Sequence, residues 1–296
     1  MSADKSRSIA YYPGCTMKTT GQAFEKSAYA VTKALGIQMR ELERWNCCGT
    51  VFSLTTDDTM HHIATIRNMV RVEEMGESEV LTLCSMCYNT LKRSNEYVSS
   101  NPVILAELND FMYKENLKYS GKVKVRHLLE LLRDDVTWAR LSAKLVNPLT
   151  GIKLAPYYGC ALVRPAGAGV DSLEDPSIME NLISSLGAEP VAWPSRLECC
   201  GSYHTIGHSE LVFERTERIV GEALKVGADA IILSCPLCEF NIGSRQPEVA
   251  EKIYGFKEIP VLYFTQVMGL ALGIAPEELA ITDKRVLSLI QEKVEA

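Results

Sequence analysis

The chain has 296 residues, 47% hydrophobic and 23% charged, with ten cysteines and a formal net charge of −6. Those proportions belong to a globular protein rather than a disordered one, and the acidic balance argues against nucleic acid as a partner. The opening residues MSADKSRSIA hold no apolar signal core, and the longest apolar run, from Val261 to Ile274, is interrupted by Thr265 and Gln266 and too short for a bilayer. A cytoplasmic protein without membrane insertion is expected.

In chain order, a short β-prone run in SIAYYPGC ends at Pro13-Gly14, a turn that delivers Cys15. Helical spacing of apolar residues predicts a helix over 22–35 with Gly36 as its C-cap, then a short segment over 38–45 leading into Asn46-Cys47-Cys48-Gly49. Thr56-Asp57-Asp58 offers N-cap chemistry for a helix reaching Glu74. Residues 80–83 read as a buried strand ending at Cys84, and the next helix starts inside Cys84-Ser85-Met86-Cys87. A further helix is bracketed by Asn101-Pro102 and Tyr119-Ser120-Gly121, followed by a strand over 122–126 and a helix over 128–133.

Residues 152–160 then repeat the opening, with PYYGC in place of YYPGC. A helix over 177–186, a short apolar stretch over 190–193, Cys199-Cys200-Gly201, a helix over 209–225 and a strand over 230–233 delivering Cys235 follow in the same order. A strand over 260–264 and terminal helices close the chain. Strands alternating with helices in both halves predict two α/β domains with parallel sheets, residues 1–150 and 151–296. The first carries 19 basic against 17 acidic residues and the second 12 against 20, so the halves differ in charge.

The duplication uses every cysteine. Cys15, Cys47-Cys48 and Cys84-x-x-Cys87 recur as Cys160, Cys199-Cys200 and Cys235-x-x-Cys238, at offsets of 145, 152 and 151 residues. In a reducing compartment such cysteines read as metal ligands or redox groups. Structural zinc takes four ligands, which leaves a fifth thiol idle in each half. Adjacent cysteines tend to point apart and so suit different metal atoms of one polynuclear centre, which favours iron–sulfur chemistry over zinc or simple thiol redox.

The whole pattern resembles the CCG-domain family, and within it the B subunits of heterodisulfide reductases. The resemblance covers nearly the full length, with 31 and 38 residues before each Cys-Cys and 35 and 34 after it. It implies two non-cubane four-iron, four-sulfide clusters, one held by Cys15, Cys47, Cys48, Cys84 and Cys87, the other by Cys160, Cys199, Cys200, Cys235 and Cys238. It further implies a catalytic subunit that cleaves a disulfide, such as the coenzyme M–coenzyme B heterodisulfide, by one-electron steps. The alternative within the family is an electron-relay or docking subunit, as in lactate, glycerol-3-phosphate or fumarate-linked enzymes.

Lys18 and Arg164, shortly after Cys15 and Cys160, are candidate contacts for an anionic substrate, or merely balance charge. His204, in CCGSYH, is a candidate proton donor or a hydrogen-bonding neighbour of the ligands. Asn89 and Asn241 read as local caps or donors, and His61-His62 as an exposed helix face. Gly167-Ala168-Gly169 is a weak match to a nucleotide loop. There is no ferredoxin-type cysteine run and no flavin or nicotinamide fingerprint. Electrons are therefore expected from other proteins. By resemblance these are the ferredoxin-like iron–sulfur subunit and the flavin-containing subunit of an electron-bifurcating complex, with hydrogenase or formate dehydrogenase subunits as further partners.

Overall fold

Two four-stranded parallel sheets organise the molecule, one in each half of the chain; the computed structural model describes residues 7–50 and 58–294. The first sheet holds β1 (Arg7–Tyr12), β2 (Ile37–Glu41), β3 (Glu79–Thr82) and β4 (Lys124–His127) in the order β2-β1-β3-β4. The second holds β5 (Lys153–Tyr157), β6 (Glu189–Pro190), β7 (Ala230–Leu233) and β8 (Val261–Tyr263) in the order β6-β5-β7-β8. Every pairing is parallel, so the fold is the expected α/β architecture of two pseudo-symmetric halves with helices on the sheets. Parallel strands are covered on both faces, and Ala230–Leu233 is accordingly buried at every position, as are residues 9–12 of β1.

The element boundaries depart from the sequence reading at three places. The segment after Gly36 is a true edge strand, β2, in which Ile37 and Met39 face the core while Gln38 faces outward. The helix ending at Glu74 starts only at Ile63, after a 3-10 turn over Thr59–His62 whose first N–H groups are capped by Asp58 accepting from Met60 N at 2.8 Å. Thr56 and Asp57 lie outside the described residues. Within that turn His62 is buried rather than exposed: Nδ1 meets Ser94 Oγ at 2.6 Å and the ring packs 4.8 Å from Tyr97. Lastly, the helix at Leu128 lasts one turn, to Leu131, before widening into a π-turn over Leu132–Val136.

The strand order places a topological switch between β1 and β3, and its copy between β5 and β7. Connections leave these neighbouring strands in opposite directions, opening a crevice at their C-terminal ends. Into it project the turn after β1 with Cys15 and the turn after β3 with Cys84 and Cys87, and likewise Cys160, Cys235 and Cys238 in the copy.

One hydrophobic core runs through both halves. Phe24, on the helix Gln22–Ala34, stacks on Tyr263 with ring centroids 4.3 Å apart and meets the edge of Phe264, while Ser27 Oγ and Thr265 Oγ1 lie 2.6 Å apart. Ser85 Oγ and Ser234 Oγ form a second buried contact at 2.6 Å. Asn89 Nδ2 donates across the boundary to Ala161 O at 2.8 Å and to Arg164 O. These contacts set the crevices of the two halves against each other.

Candidate functional site

The turn Pro13-Gly14 matters because Gly14 has φ +75° and approaches the first cysteine set closely. A Cβ there would stand 2.8 Å from Cys87 Sγ, and at Gly159 (φ +64°) 3.3 Å from Cys238 Sγ. Only glycine lets the chain pass this close to the second thiol of each Cys-x-x-Cys. The five thiols of the first half then form a string of contacts: Cys15 to Cys47 at 3.9 Å, Cys48 to Cys87 at 3.6 Å, with Cys84 hydrogen-bonded to Cys87. In the second half Cys160 bonds Cys199, Cys200 lies 3.4 Å from Cys238, and Cys238 bonds Cys235. The strings touch. Cys84 and Cys235, both deeply buried, are hydrogen-bonded to each other.

The electrostatics repeat as well. Cys47 is held as a thiolate, its pKa drawn to about 2 by hydrogen bonds from Cys15 and Cys48 and from Gly49 N–H, whose nitrogen is 3.4 Å away. Cys199 is likewise drawn to about 2 by Cys160, Cys200 and Gly201 N–H at the same distance. Cys15 and Cys47 are exposed, Cys160 and Cys199 half-buried, and the other six cysteines buried.

Among the described residues, no group of three or more His, Cys, Asp or Glu side chains closes around a single ion. The donors are laid out as a line of thiols, five to a half, and soft thiolates in such number suit a centre with several metal atoms better than one tetrahedral ion.

A sequence model of the cysteine-rich CCG domain matches residues 9–92 and again 154–243. The chain belongs to the CCG family. Among its relatives is the 8-methylmenaquinol:fumarate reductase membrane anchor subunit of Wolinella succinogenes, 34% identical, with 93% of this chain and 95% of the relative covered. The B subunit of the ferredoxin/F420H2-dependent CoB–CoM heterodisulfide reductase of Methanosarcina acetivorans is 29% identical over 95% and 94% of the two chains. An Archaeoglobus profundus protein named for its likeness to the heterodisulfide reductase B subunit is 30% identical over 90% and 91%. A hypothetical protein from Helicobacter pylori shares the fold, with a TM-score of 0.76 at 15% identity, over 94% of this chain and 51% of that one. Among the described residues no helix is long and apolar enough to cross a membrane.

The other residues singled out in the sequence fare unevenly in this CCG protein. Lys18 does follow Cys15 in a 3-10 turn, but its Nζ is held by Glu25 at 2.9 Å and Glu41 at 2.7 Å. Arg164 is exposed and donates to Leu197 O at 2.8 Å, two residues before Cys199. His204 is exposed, its ring 5.7 Å from that of His208. Asn241 donates to Cys200 O at 3.2 Å and so braces its own Cys-Cys, whereas Asn89 braces the turn of the opposite half. Gly167 and Ala168 follow Pro165 in a loop that lines a surface cavity shared with His62 and Tyr97.

Three tyrosines escaped the sequence reading. Tyr12 and Tyr157 end the strands that lead to the lone cysteines, and each donates to the carbonyl just before a Cys-Cys pair. A tyrosine repeated at the same distance before Cys15 and Cys160 was the available signal. Tyr203 sits between the halves: its hydroxyl donates to Met86 Sδ at 3.5 Å, and burial followed by the charges of Cys160 and Cys199 raises its pKa to about 12.

Proposed function

We propose that each CCG half holds a non-cubane four-iron cluster on its five cysteines, and that the chain is the disulfide-cleaving subunit of a heterodisulfide-reductase-type complex. The observation that carries this reading is the contact between Cys84 and Cys235, one thiol from each ligand set. A disulfide presents two sulfur atoms about 2 Å apart, so reducing it at two centres needs those centres side by side. The relatives named for heterodisulfide reductase B subunits support the same reading across nearly the whole chain.

Held by Cys15, Cys47, Cys48, Cys84 and Cys87 in one half and by Cys160, Cys199, Cys200, Cys235 and Cys238 in the other, such clusters would supply the electrons for the cleavage and thiophilic iron beside the disulfide. The cleavage consumes two electrons and two protons and releases two thiols. The electrons enter from separate iron–sulfur and flavin subunits of the complex. Gly14 and Gly159 admit the backbone to the thiols, and hydrogen bonds from the neighbouring cysteines, with a smaller one from Gly49 N–H or Gly201 N–H, favour the thiolate at Cys47 and Cys199. Tyr203, exposed like His204 but with its Oη 3.5 Å from Met86 Sδ of the other half, would donate a hydrogen bond to a departing sulfur, and His204 is the other candidate proton donor.

Anaerobic turnover of the assembled complex against a panel of disulfides tests the reading, with thiol release the expected result. A second reading, an electron-relay and docking role, is favoured by the likeness to the fumarate reductase chain. It predicts that the clusters pass electrons onward while no disulfide in the panel is reduced.

A further inference from the structure

The helix that follows the Cys-x-x-Cys turn is built differently in the two halves. In the first it runs without interruption over Ser85–Ser99. In the second it lasts one turn, Pro236–Glu239, and then widens into a π-turn over Phe240–Ser244. Such turns are rare and recur at functional sites. Asn241 lies inside this one and is fully buried.

Asn241 stands three residues past Cys238, as Thr90 stands three past Cys87. Thr90 Oγ1 donates to a loop carbonyl, Thr50 O, at 3.1 Å. Asn241 instead turns its amide on a member of the cysteine set: Nδ2 lies 3.2 Å from Cys200 O and 3.8 Å from Cys200 Sγ. An amide nitrogen carries two N–H groups, one for each of these acceptors. The surroundings fix which way the amide points. An oxygen in the place of Nδ2 would set two acceptors against each other at Cys200 O. On the far side Oδ1 accepts from Thr205 Oγ1 at 3.0 Å, and Arg245 Nη1 in turn donates to Thr205 O at 3.4 Å. The buried Thr216 holds the main chain, its Oγ1 donating to Asn241 O at 3.0 Å.

Burial and hydrogen-bond donors act in opposite directions on a thiolate-bound redox centre. Reduction adds negative charge, which burial disfavours and which N–H groups directed at the sulfurs favour. Cys160 and Cys199 are half-buried where Cys15 and Cys47 are exposed, so the second set is the more enclosed. Cys200 itself is only 1% exposed, and a donor at its sulfur acts there with little competition from water. Resting on the two-cluster reading above, we propose that Asn241 is a positioning residue whose side-chain N–H, held against Cys200 Sγ, raises the reduction potential of the second-half centre. The amide thereby offsets the more enclosed setting of that centre and keeps both halves open to the two electrons that a disulfide cleavage consumes.

The test is an anaerobic, mediated redox titration of the cluster-loaded full chain, followed by electron paramagnetic resonance with iron content measured alongside. The step that Cys200→Ser disturbs identifies the second half. The similarly branched Asn241→Leu removes the amide and should make reduction at that step about tenfold less favourable, a downward shift of about 59 mV for one electron, with the other step unmoved. Thr205→Val, nearer the surface, removes only the hydroxyl that orients the amide. It should shift the same step in the same direction by less. A merely structural asparagine would alter iron content or thermal stability and leave both potentials in place. If both variants keep their iron and neither step moves, or both steps move equally, the inference fails while the two-cluster reading stands. If Asn241→Leu loses iron from the second half, the shift in Thr205→Val decides alone. Wild-type chain holding one cluster or none would remove the reading and the inference with it.

Discussion

Tyr12 and Tyr157 perform the same task 145 residues apart: the first donates to Asn46 O at 2.8 Å and the second to Glu198 O at 2.6 Å, each fastening the segment that enters a Cys-Cys pair. Both rings are buried, so each hydroxyl satisfies a carbonyl that water cannot easily reach. Tyr12→Phe and Tyr157→Phe should each cost about 1–2 kcal/mol. Each should also speed metal loss from its own half under a chelator, leaving the other half unchanged. Equal loss from both halves in either variant would show that the clamp is not local.

The glycine turns give a graded prediction. Gly14→Ala combines a positive φ with a Cβ 2.8 Å from Cys87 Sγ, whereas Gly159→Ala meets Cys238 Sγ at 3.3 Å. Both should destabilise the protein, by about 1–3 kcal/mol. Gly14→Ala should be the worse of the two in thermal unfolding and should lower metal content in the first half.

Burial holds the His127 imidazole neutral, lowering its pKa to about 4 against the pull of its bond to Leu83 O and of Cys235. The unfolded chain binds the proton near pH 6.5, so the native state loses stability as pH falls from about 6.5 to 4. The full loss is about 3 kcal/mol, with none above that window. Urea unfolding at about pH 7 and pH 4.5 should therefore show a shallower acid loss for His127→Gln than for wild type. An imidazole that titrates near 6.5 by NMR would contradict the assignment.

Much of this was legible because the duplication is written in the cysteines. Their order after strand-like runs was enough to place Cys15, Cys84 and Cys235 at strand ends, where parallel sheets form sites. What could not be read was mutual orientation. Lys18 and Arg164 look equivalent by spacing, yet Lys18 lies against Glu25 and Glu41, carboxylates that helical and strand geometry bring in from positions seven and twenty-three residues away. His62 looked exposed because a 3-10 turn changes which side chains face inward.

The paired cysteines offer a way to address the two proposed centres one at a time. Cys48 contacts Cys87, and Cys200 contacts Cys238, each within its own half. Cys48→Ser or Cys200→Ser should alter one set of cluster signals and spare the other, with the shared core keeping the fold. Retention of both native spectra in either variant would remove the five-thiol assignment.

The most direct test of the central claim is elemental. Anaerobically prepared protein should contain about eight irons and eight acid-labile sulfides per chain, the content of two four-iron clusters, and no stoichiometric zinc. About four irons with one zinc would show that one half is structural, and would contradict an account in which two like centres meet at Cys84 and Cys235.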